Sequence, residues 1–395
     1  MLSRAQIDSL DRLPGTILTV YMNTQKDEPA RHLPVPHSLT WLRNQAKSIA
    51  NRLTSTERDQ FEAQWNRVET FLDGRPPHEK ALVIFAGPNT WELVPLPVGV
   101  ENDLRWGRPA SSQLLLLADE HKPYCVVVVD RTKARFLRYQ FAGLREIEEY
   151  LFPLDDSQWK TIDMGHVTGQ RIHKTRGSQR DSYDHRVEAQ YARFCRETAR
   201  RAASLCRREK LEAIILVGAS HLVVPIAAGI PPQFRESLLL IREDLGGIPI
   251  QELSPRLAAP IREWQQQRAE SLVSDLLSAR HGVFTTPDEV IAELQKGAIS
   301  EIVVASDFAP SLFECDRCGW ADRSTEQFCP KCRTRRRIAT LKEVLPRLAK
   351  NHKTRLFVVD GDPAATLRKA GGIGGWRRLT VSDRTLENRA LSYTR

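Results

Sequence analysis

Four cysteines carry the clearest chemistry in the sequence. Cys315, Cys318, Cys329 and Cys332 fall as two Cys-x-x-Cys pairs separated by a short insert. Thiolates at this spacing close a tetrahedral shell around zinc, each pair forming a knuckle and the insert folding back between them. A shell filled by four sulfurs leaves no position for water or substrate, so the expected metal is structural. Its binding energy would fold an insert, about 313–335, too small to have a core of its own. The chain has 7 cysteines, an odd number ill suited to a disulfide framework. Two close pairs in a reducing compartment point instead to metal. Lys331, Arg333, Arg335, Arg336 and Arg337 follow at once, a run that fits phosphate contacts and a solvated rim equally well.

A second stretch, 164–186, carries Gly165, Gly169 and Gly177 and sets Arg171, Lys174, Arg176, Arg180 and Arg186 against Asp181 and Asp184. It reads as a mobile cationic loop. Within it Gly177, Ser178 and Gln179 are flanked by Arg176 and Arg180, with no general base beside them. An uncharged glutamine cannot take a proton at neutral pH, but its amide can orient water or a substrate oxygen. Such a loop would act by positioning, inside a site that its partner mostly builds. As a bare tripeptide it reads first as a surface loop without chemistry. From Val187 on, Tyr191, Phe194, Cys195, Thr198, Ala202, Leu205 and Cys206 recur at helical spacing, and Ile214 to Val217 follow as an apolar strand. The loop is thus mounted on a rigid base.

Other motifs carry less. The glycines of GGIGG, 371–375, come after a helix pattern and before WRRLT. A phosphate cradle follows a strand and leads into a helix, so these glycines read as a tight helix-to-strand turn. Gly218, Ser220 and His221 resemble a nucleophile elbow, but Leu222 stands where that turn needs glycine. His32, His37 and His78 lie beside prolines in loop-like stretches and receive no role.

A chain of 395 residues suggests two or three domains. Hydrophobic residues at 41% and charged ones at 27% fit an ordinary globular protein rather than a disordered one. The formal charge of +9 makes an anionic partner plausible. The longest apolar run, Ile214 to Ile230, is broken by Gly218, Ser220, His221, Pro225 and Gly229, so no membrane span is expected. Arg4, Asp8, Asp11 and Arg12 interrupt any secretory leader. The expected location is cytoplasmic.

The elements that would position these residues alternate in type. Strands are expected at Thr16 to Tyr21, Ala81 to Ala86, Trp91 to Val98 and Gln113 to Leu117, with helices at Ser38 to Arg52 and Ser55 to Leu72, the latter opened by Thr54 and Glu57. Tyr124 to Asp130, with four consecutive valines, suits a strand buried on both faces, and Arg135 to Tyr139 is its expected partner. Pro255 to Ala279 is strongly helical. Thr286, Pro287 and Glu289 mark a further helix start, strands are expected at Glu301 to Ala305 and Arg355 to Val359, and a helix at Leu341 to Ala349. The reading is a mixed α/β protein of three domains: 1–118, a layered middle domain at 119–254, and 255–395 with the cysteine insert.

The order of the pieces resembles the archaeal and eukaryotic class I peptide-chain release factors and their Pelota relatives, and within that superfamily its bacterial branch. YCVVVVD, TRGSQ, the helix from Val187 and IILVG stand in the order of that family's middle domain. ELQKGAISEIVVAS, with Gly297 and Ala298, and GGIGGWRRL match its carboxy-terminal domain, where archaeal members also carry a cysteine-pair zinc insert. The resemblance covers roughly 120–381. It implies a factor that enters the ribosomal A site, with Gly177, Ser178 and Gln179 at the family's Gly-Gly-Gln and Gln179 as its water-positioning glutamine. Arg171, Lys174, Arg176, Arg180 and Arg186 would hold RNA phosphates, the ribosome with its rRNA and peptidyl-tRNA being the partner rather than DNA. The carboxy-terminal domain would meet the stalk base or a translational GTPase.

Two departures shape the expectation. Ser178 replaces the second glycine, and the amino-terminal segment lacks both stop-codon motifs, Asn-Ile-Lys-Ser and the tyrosine-cysteine one. The resulting expectation is codon-independent ribosome rescue by peptidyl-tRNA ester hydrolysis. The alternatives are a non-catalytic hibernation or splitting factor of the Balon or Pelota kind, and a nuclease acting on the tRNA 3′ end.

Overall fold

The computed structural model describes residues 3–24, 37–73, 79–152, 175–315 and 317–378. They form two compact units: one of 122–265, the other built from the segments 1–121 and 266–395. The architecture is mixed α/β.

The amino-terminal segment runs α1 (Arg4–Asp11), β1 (Ile17–Asn23), α2 (His37–Ala50), α3 (Ser55–Asp73), β2 (Ala81–Gly87), β3 (Thr90–Leu96), β4 (Asp103–Gly107) and α4 (Ser112–Glu120). Its strands make an antiparallel sheet in the order β3-β2-β1-β4. One face of that sheet, with Leu18, Val20, Ile84 and Leu104, is covered by Phe61, Trp65 and Val68 of α3 and Leu42 of α2. The strand expected at Gln113 to Leu117 is instead α4. A four-leucine run fits either element by periodicity, and here Leu114, Leu115 and Ala118 are buried while Leu116 and Leu117 are half-exposed, the spacing of a helix packed on one side.

The second unit comprises β5 (Tyr124–Val129), β6 (Lys133–Gln140), β7 (Gly143–Leu151), α5 (Thr175–Glu209), β8 (Ile214–Val217), α6 (Ser220–Ala228), β9 (Leu238–Ile241) and the start of α7 (Ile250–Ser278). Its sheet is ordered β7-β6-β5-β8-β9, antiparallel from β7 to β5 and parallel from β5 to β9. All six residues of β5 are buried. Cys125, Val127 and Val129 point into a core with α5 and α6, whereas Tyr124, Val126 and Val128 point into a core with Leu253, Leu257 and Ile261 of α7. The boundary expected at 254 thus falls inside α7, whose first four turns complete this unit's second face.

The carboxy-terminal segment adds β10 (Val283–Phe284), α8 (Pro287–Gln295), β11 (Ile299–Ala305), β12 (Ser311–Cys315), β13 (Ala321–Asp322), β14 (Arg336–Thr340), α9 (Leu341–Asn351), β15 (Arg355–Val359), α10 (Gly361–Lys369) and β16 (Ile373–Arg377). The main sheet is β10-β16-β11-β15, and β13-β12-β14 form a small ribbon. Within the first unit α4 packs on α9 and β15, and Arg105 and Lys342 pair with Glu343 and Glu101. The segments 1–121 and 266–395 thereby share one unit while keeping a separate sheet each. Among the described residues no helix is long and apolar enough to cross a membrane.

The GGIGG run divides between turn and strand. Gly371 and Gly372 have positive φ, while Gly374 and Gly375 lie in β16. At Gly372, with φ +80, an added Cβ would fall 2.3 Å from the Phe308 ring. Gly282 has a similar φ of +74 with nothing within 4 Å, so the pair separates backbone strain from crowding. Gly282→Ala should cost about 1 to 2 kcal/mol for the left-handed backbone. Gly372→Ala should cost a further 1 to 3 kcal/mol, roughly, for overpacking. Urea titrations followed by tryptophan fluorescence would check this, and equal losses in the two variants would refute the ring clash.

Candidate functional site

Helix α5 is where the sequence places its chemistry. Gly177, Ser178 and Gln179 lie in the first turns of this 35-residue helix, and Arg176, Arg180 and Arg186 lie on it as well. The part of the expected cationic loop from Thr175 to Arg186 is therefore helical in the structure. No proline falls between Thr175 and Glu209, and one interior glycine costs only about 1 kcal/mol. A helix already nucleated by packing can absorb that cost as it propagates. Arg171 and Lys174 lie outside the described residues, as do His32 and His78.

The base of the helix is clamped by rings. Phe194 is 1% exposed, stacks on Tyr150 at 5.5 Å and packs against Phe152 at 5.2 Å. Phe152 also meets Tyr191 edge-on at 6.3 Å. The Tyr191 hydroxyl donates to the His221 carbonyl at 3.1 Å, tying α5 to α6, and burial raises the tyrosine's pKa. Further along, Ala199 and Ala202 keep the helix close to the sheet. From Tyr191 back to Gln179 is roughly 18 Å of helix at about 1.5 Å per residue. The sequence reading missed this collar because GLREIEEYL, the strand that carries Tyr150, is mostly polar and half-exposed. Its only signals were aromatic residues at Tyr150 and Phe152.

Gly218, Ser220 and His221 do not form a hydrolase site. Gly218 ends β8 so tightly that a Cβ would sit 2.6 Å from the Val129 carbonyl. Ser220 opens α6 on the exposed side. Among the described residues no hydrogen bond joins its hydroxyl to a histidine.

The four cysteines do converge. Their sulfurs all lie within 4.8 Å of one another, with Cys315 to Cys332 and Cys318 to Cys329 at 3.4 Å and Cys318 to Cys332 at 3.6 Å. A tetrahedron with metal–sulfur bonds of about 2.3 Å has edges of about 3.8 Å, so the donor set fits a metal ion. Both knuckles share one backbone turn. The Gly319 N–H donates to the Cys315 carbonyl at 2.8 Å, and the Arg333 N–H to that of Cys329 at 2.9 Å. Gly319 and Arg333 occupy the equivalent left-handed positions, at φ +71 and +61. Hydrogen bonds from Thr334, first its hydroxyl and then its backbone, hold the Cys332 thiol down at about 6.

The ribbon around the cysteines uses up most of its cations. The Arg336 side chain is fully buried, donates to the Phe313 carbonyl at 2.6 Å and pairs with Asp322. Arg337 pairs with Glu314 and Glu343, and Lys331 stacks over Trp320 at 4.0 Å. Arg333 and Arg335 remain exposed. Gln295 of α8 fastens the ribbon to the main sheet, donating to the Ala321 carbonyl at 2.8 Å and accepting from its N–H at 2.9 Å. Cys329→Ser should abolish retention of the metal and open the ribbon to protease while leaving the 122–265 unit folded. Elemental analysis with limited proteolysis reads both, and a fully metal-loaded serine variant would refute the four-sulfur site.

Comparison with known proteins gives the context. Residues 109–242 match the family model of bacterial archaeo-eukaryotic release factor family 10. No curated protein matches the chain. Among solved structures it is similar to an archaeal translation termination factor at 15% identity, over 96% of this chain and 99% of that one, with a TM-score of 0.25. It is similar also to an archaeal Pelota in a ribosome-bound model with ABCE1, at 12% identity over 95% and 94%, TM-score 0.40. Dom34 of S. cerevisiae, a termination-like factor, shares 10% identity over 76% and 80%, TM-score 0.37. The family match runs from before α4 to just past β9 and contains all of α5 with its Gly177-Ser178-Gln179. Over residues 109–242 the chain is therefore similar to family 10 of the bacterial archaeo-eukaryotic release factors.

Proposed function

We propose that the protein acts at the ribosome as a codon-independent release or rescue factor. What supports this reading is one observation: the family match encloses a Gly-Ser-Gln at the head of a long helix whose base is clamped to a buried sheet. A tripeptide carried this way can be delivered into a site built by its partner, and positioning is the contribution that such a group makes.

In this reading the substrate is the ester joining a nascent peptide to its tRNA. Water adds to the ester carbonyl, the ester bond breaks, and the peptide leaves as a carboxylic acid while the tRNA regains its 3′ hydroxyl. Gln179 orients the water through its neutral amide, and Gly177 permits close approach of the backbone. Arg171, Lys174, Arg176, Arg180 and Arg186 neutralise RNA phosphates around it. The four-cysteine site holds zinc in a purely structural role, since its shell leaves no open position. The segment that carries the ribbon is the one to meet a translational GTPase, and the protein works in the cytoplasm.

Ser178 favours a second reading, in which the same helix head occupies the peptidyl-transferase centre without catalysis, as a hibernation or splitting factor would. A serine adds bulk where the family carries glycine. Gln179→Ala distinguishes the two. Peptide release from purified stalled ribosomes should fall by roughly 10²- to 10³-fold, the loss seen when a positioned polar group is removed from a reacting centre. Unchanged release would remove the catalytic role and leave the plug. A shortened tRNA 3′ end after the reaction would point instead to nuclease activity.

A further inference from the structure

Between Arg193 and Arg208 the solvent side of α5 is arginine but for one serine. From Arg193 to Arg208 the exposed residues of the helix are Arg193, Arg196, Arg200, Ser204, Arg207 and Arg208, with no exposed carboxylate among them. They recur at three- and four-residue spacing, so they form one continuous face. It extends for roughly 22 Å at about 1.5 Å per residue. Arg193, Arg196 and Arg207 have no ion-pair partner among the described residues. The acids of this stretch are withdrawn to its flanks. Glu197, half-buried, pairs with Arg200 and Arg201 at 2.8 Å, and Glu209 pairs with Arg208 at 3.3 Å.

A cleft of about 260 Å³ adjoins this face, lined by Glu148, Arg200, Arg201, Ser204, Leu205 and Arg208. Its one carboxylate, Glu148, is already bonded to Arg201 at 2.5 Å, and Arg201 is itself stacked over Tyr150 at 4.2 Å. Glu148 therefore leaves the cleft to Ser204 and to the N–H groups of Arg200 and Arg208 that their bonds to Glu197 and Glu209 do not use.

We propose that this arginine face is a docking ridge for the sugar-phosphate backbone of double-stranded RNA, with a phosphate seated in the cleft between Arg200, Ser204 and Arg208. The chemistry favours a phosphate polymer. Guanidinium groups bond phosphate oxygens two at a time, and a nucleic-acid duplex presents a dense line of phosphates, about one charge every 1.7 Å of axis in DNA, enough to engage every arginine of the ridge. A lipid surface fits less well, because a helix lying on a membrane needs an apolar face to insert, and none of the large hydrophobic side chains exposed in the described residues lies on α5. The ridge reads shape and charge, not sequence.

The inference deepens the ribosomal reading, though its test needs no ribosome. The full chain and an Arg193→Gln/Arg196→Gln/Arg207→Gln variant are titrated with a fluorescent RNA duplex of arbitrary sequence over a salt series. The three side chains make no ion pair among the described residues, so their loss should leave the fold intact. Each lost phosphate contact flattens the dependence of log K on log salt by about 0.9. Between about 50 and about 200 mM salt the wild-type affinity should consequently fall roughly 40-fold further than that of the variant. A triple Arg→Lys variant, which keeps the charges, should retain the wild-type slope. Equal slopes for wild type and the glutamine variant would overturn the proposal, as would tighter binding to anionic vesicles or acidic peptides than to the duplex. Loss of peptide release in Gln179→Ala alongside equal slopes would sink the ridge and leave the release reading standing. A changed slope with no release activity would do the reverse.

Discussion

The central strand of the 122–265 unit has no solvent side. With Tyr124 to Val129 buried along its whole length, the sheet must be covered twice, and the chain provides α5 and α6 for one face and α7 for the other. Everything functional in this unit inherits its position from that demand. The sheet side of α5 is fixed by what fits against valines and isoleucines, namely Phe194 and a line of small residues including Ala199 and Ala202. Once 191–209 is held by this packing, extending the helix toward its amino terminus requires only propagation, which is inexpensive beside nucleation. The Gly-Ser-Gln is therefore carried on the continuation of a packed helix.

The cysteine ribbon solves the opposite problem. Its strands are short and its far end has little to bury, so sulfur convergence takes the place of a core. The near end does reach the core of its unit through Leu312, Ala321 and Ala339. Between the two ends lies the buried guanidinium of Arg336, bonded to backbone carbonyls and to Asp322. A buried charge is tolerable only when its hydrogen bonds are made. The backbone acceptors are Phe313 on β12 and Glu326 in the insert between the knuckles, so the ribbon and the packing of Arg336 support each other.

Much of this was legible in the sequence because its signals were local. The cysteine spacing foretold a four-sulfur cluster, the valine run foretold a doubly buried strand, and the capping residues Thr286 and Glu289 marked α8, where the Thr286 side chain does accept from the Glu289 N–H. What escaped was decided by tertiary contact. Four leucines in a row cannot say whether they are strand or helix, and only the burial of Leu114, Leu115 and Ala118 on one side settles α4. The polar stretch Thr175 to Arg186 looks like a loop on composition, since nothing in it is apolar enough to show helical spacing. Its helicity comes from the packed residues that follow it. The aromatic collar spans β7, α5 and the chain between them, and no window of sequence holds all four rings.

Charge, too, takes its meaning from this packing. A net charge of +9 spread at random would say little about a partner, and an equal number of arginines on a loop would have to be ordered at each encounter, at a cost of about 0.5 to 1.5 kcal/mol for every long side chain immobilised. On α5 the backbone is already fixed by its buried face, so the spacing of Arg193, Arg196, Arg200 and Arg207 is set before any partner arrives. Glu197 adds to this by holding Arg200 and Arg201 from below without itself reaching the exposed face. The apolar side of the helix and its cationic side are thus two consequences of one constraint: the face that the sheet claims cannot carry charge, and the face that the sheet leaves free carries arginine at every exposed position from 193 to 208 except Ser204.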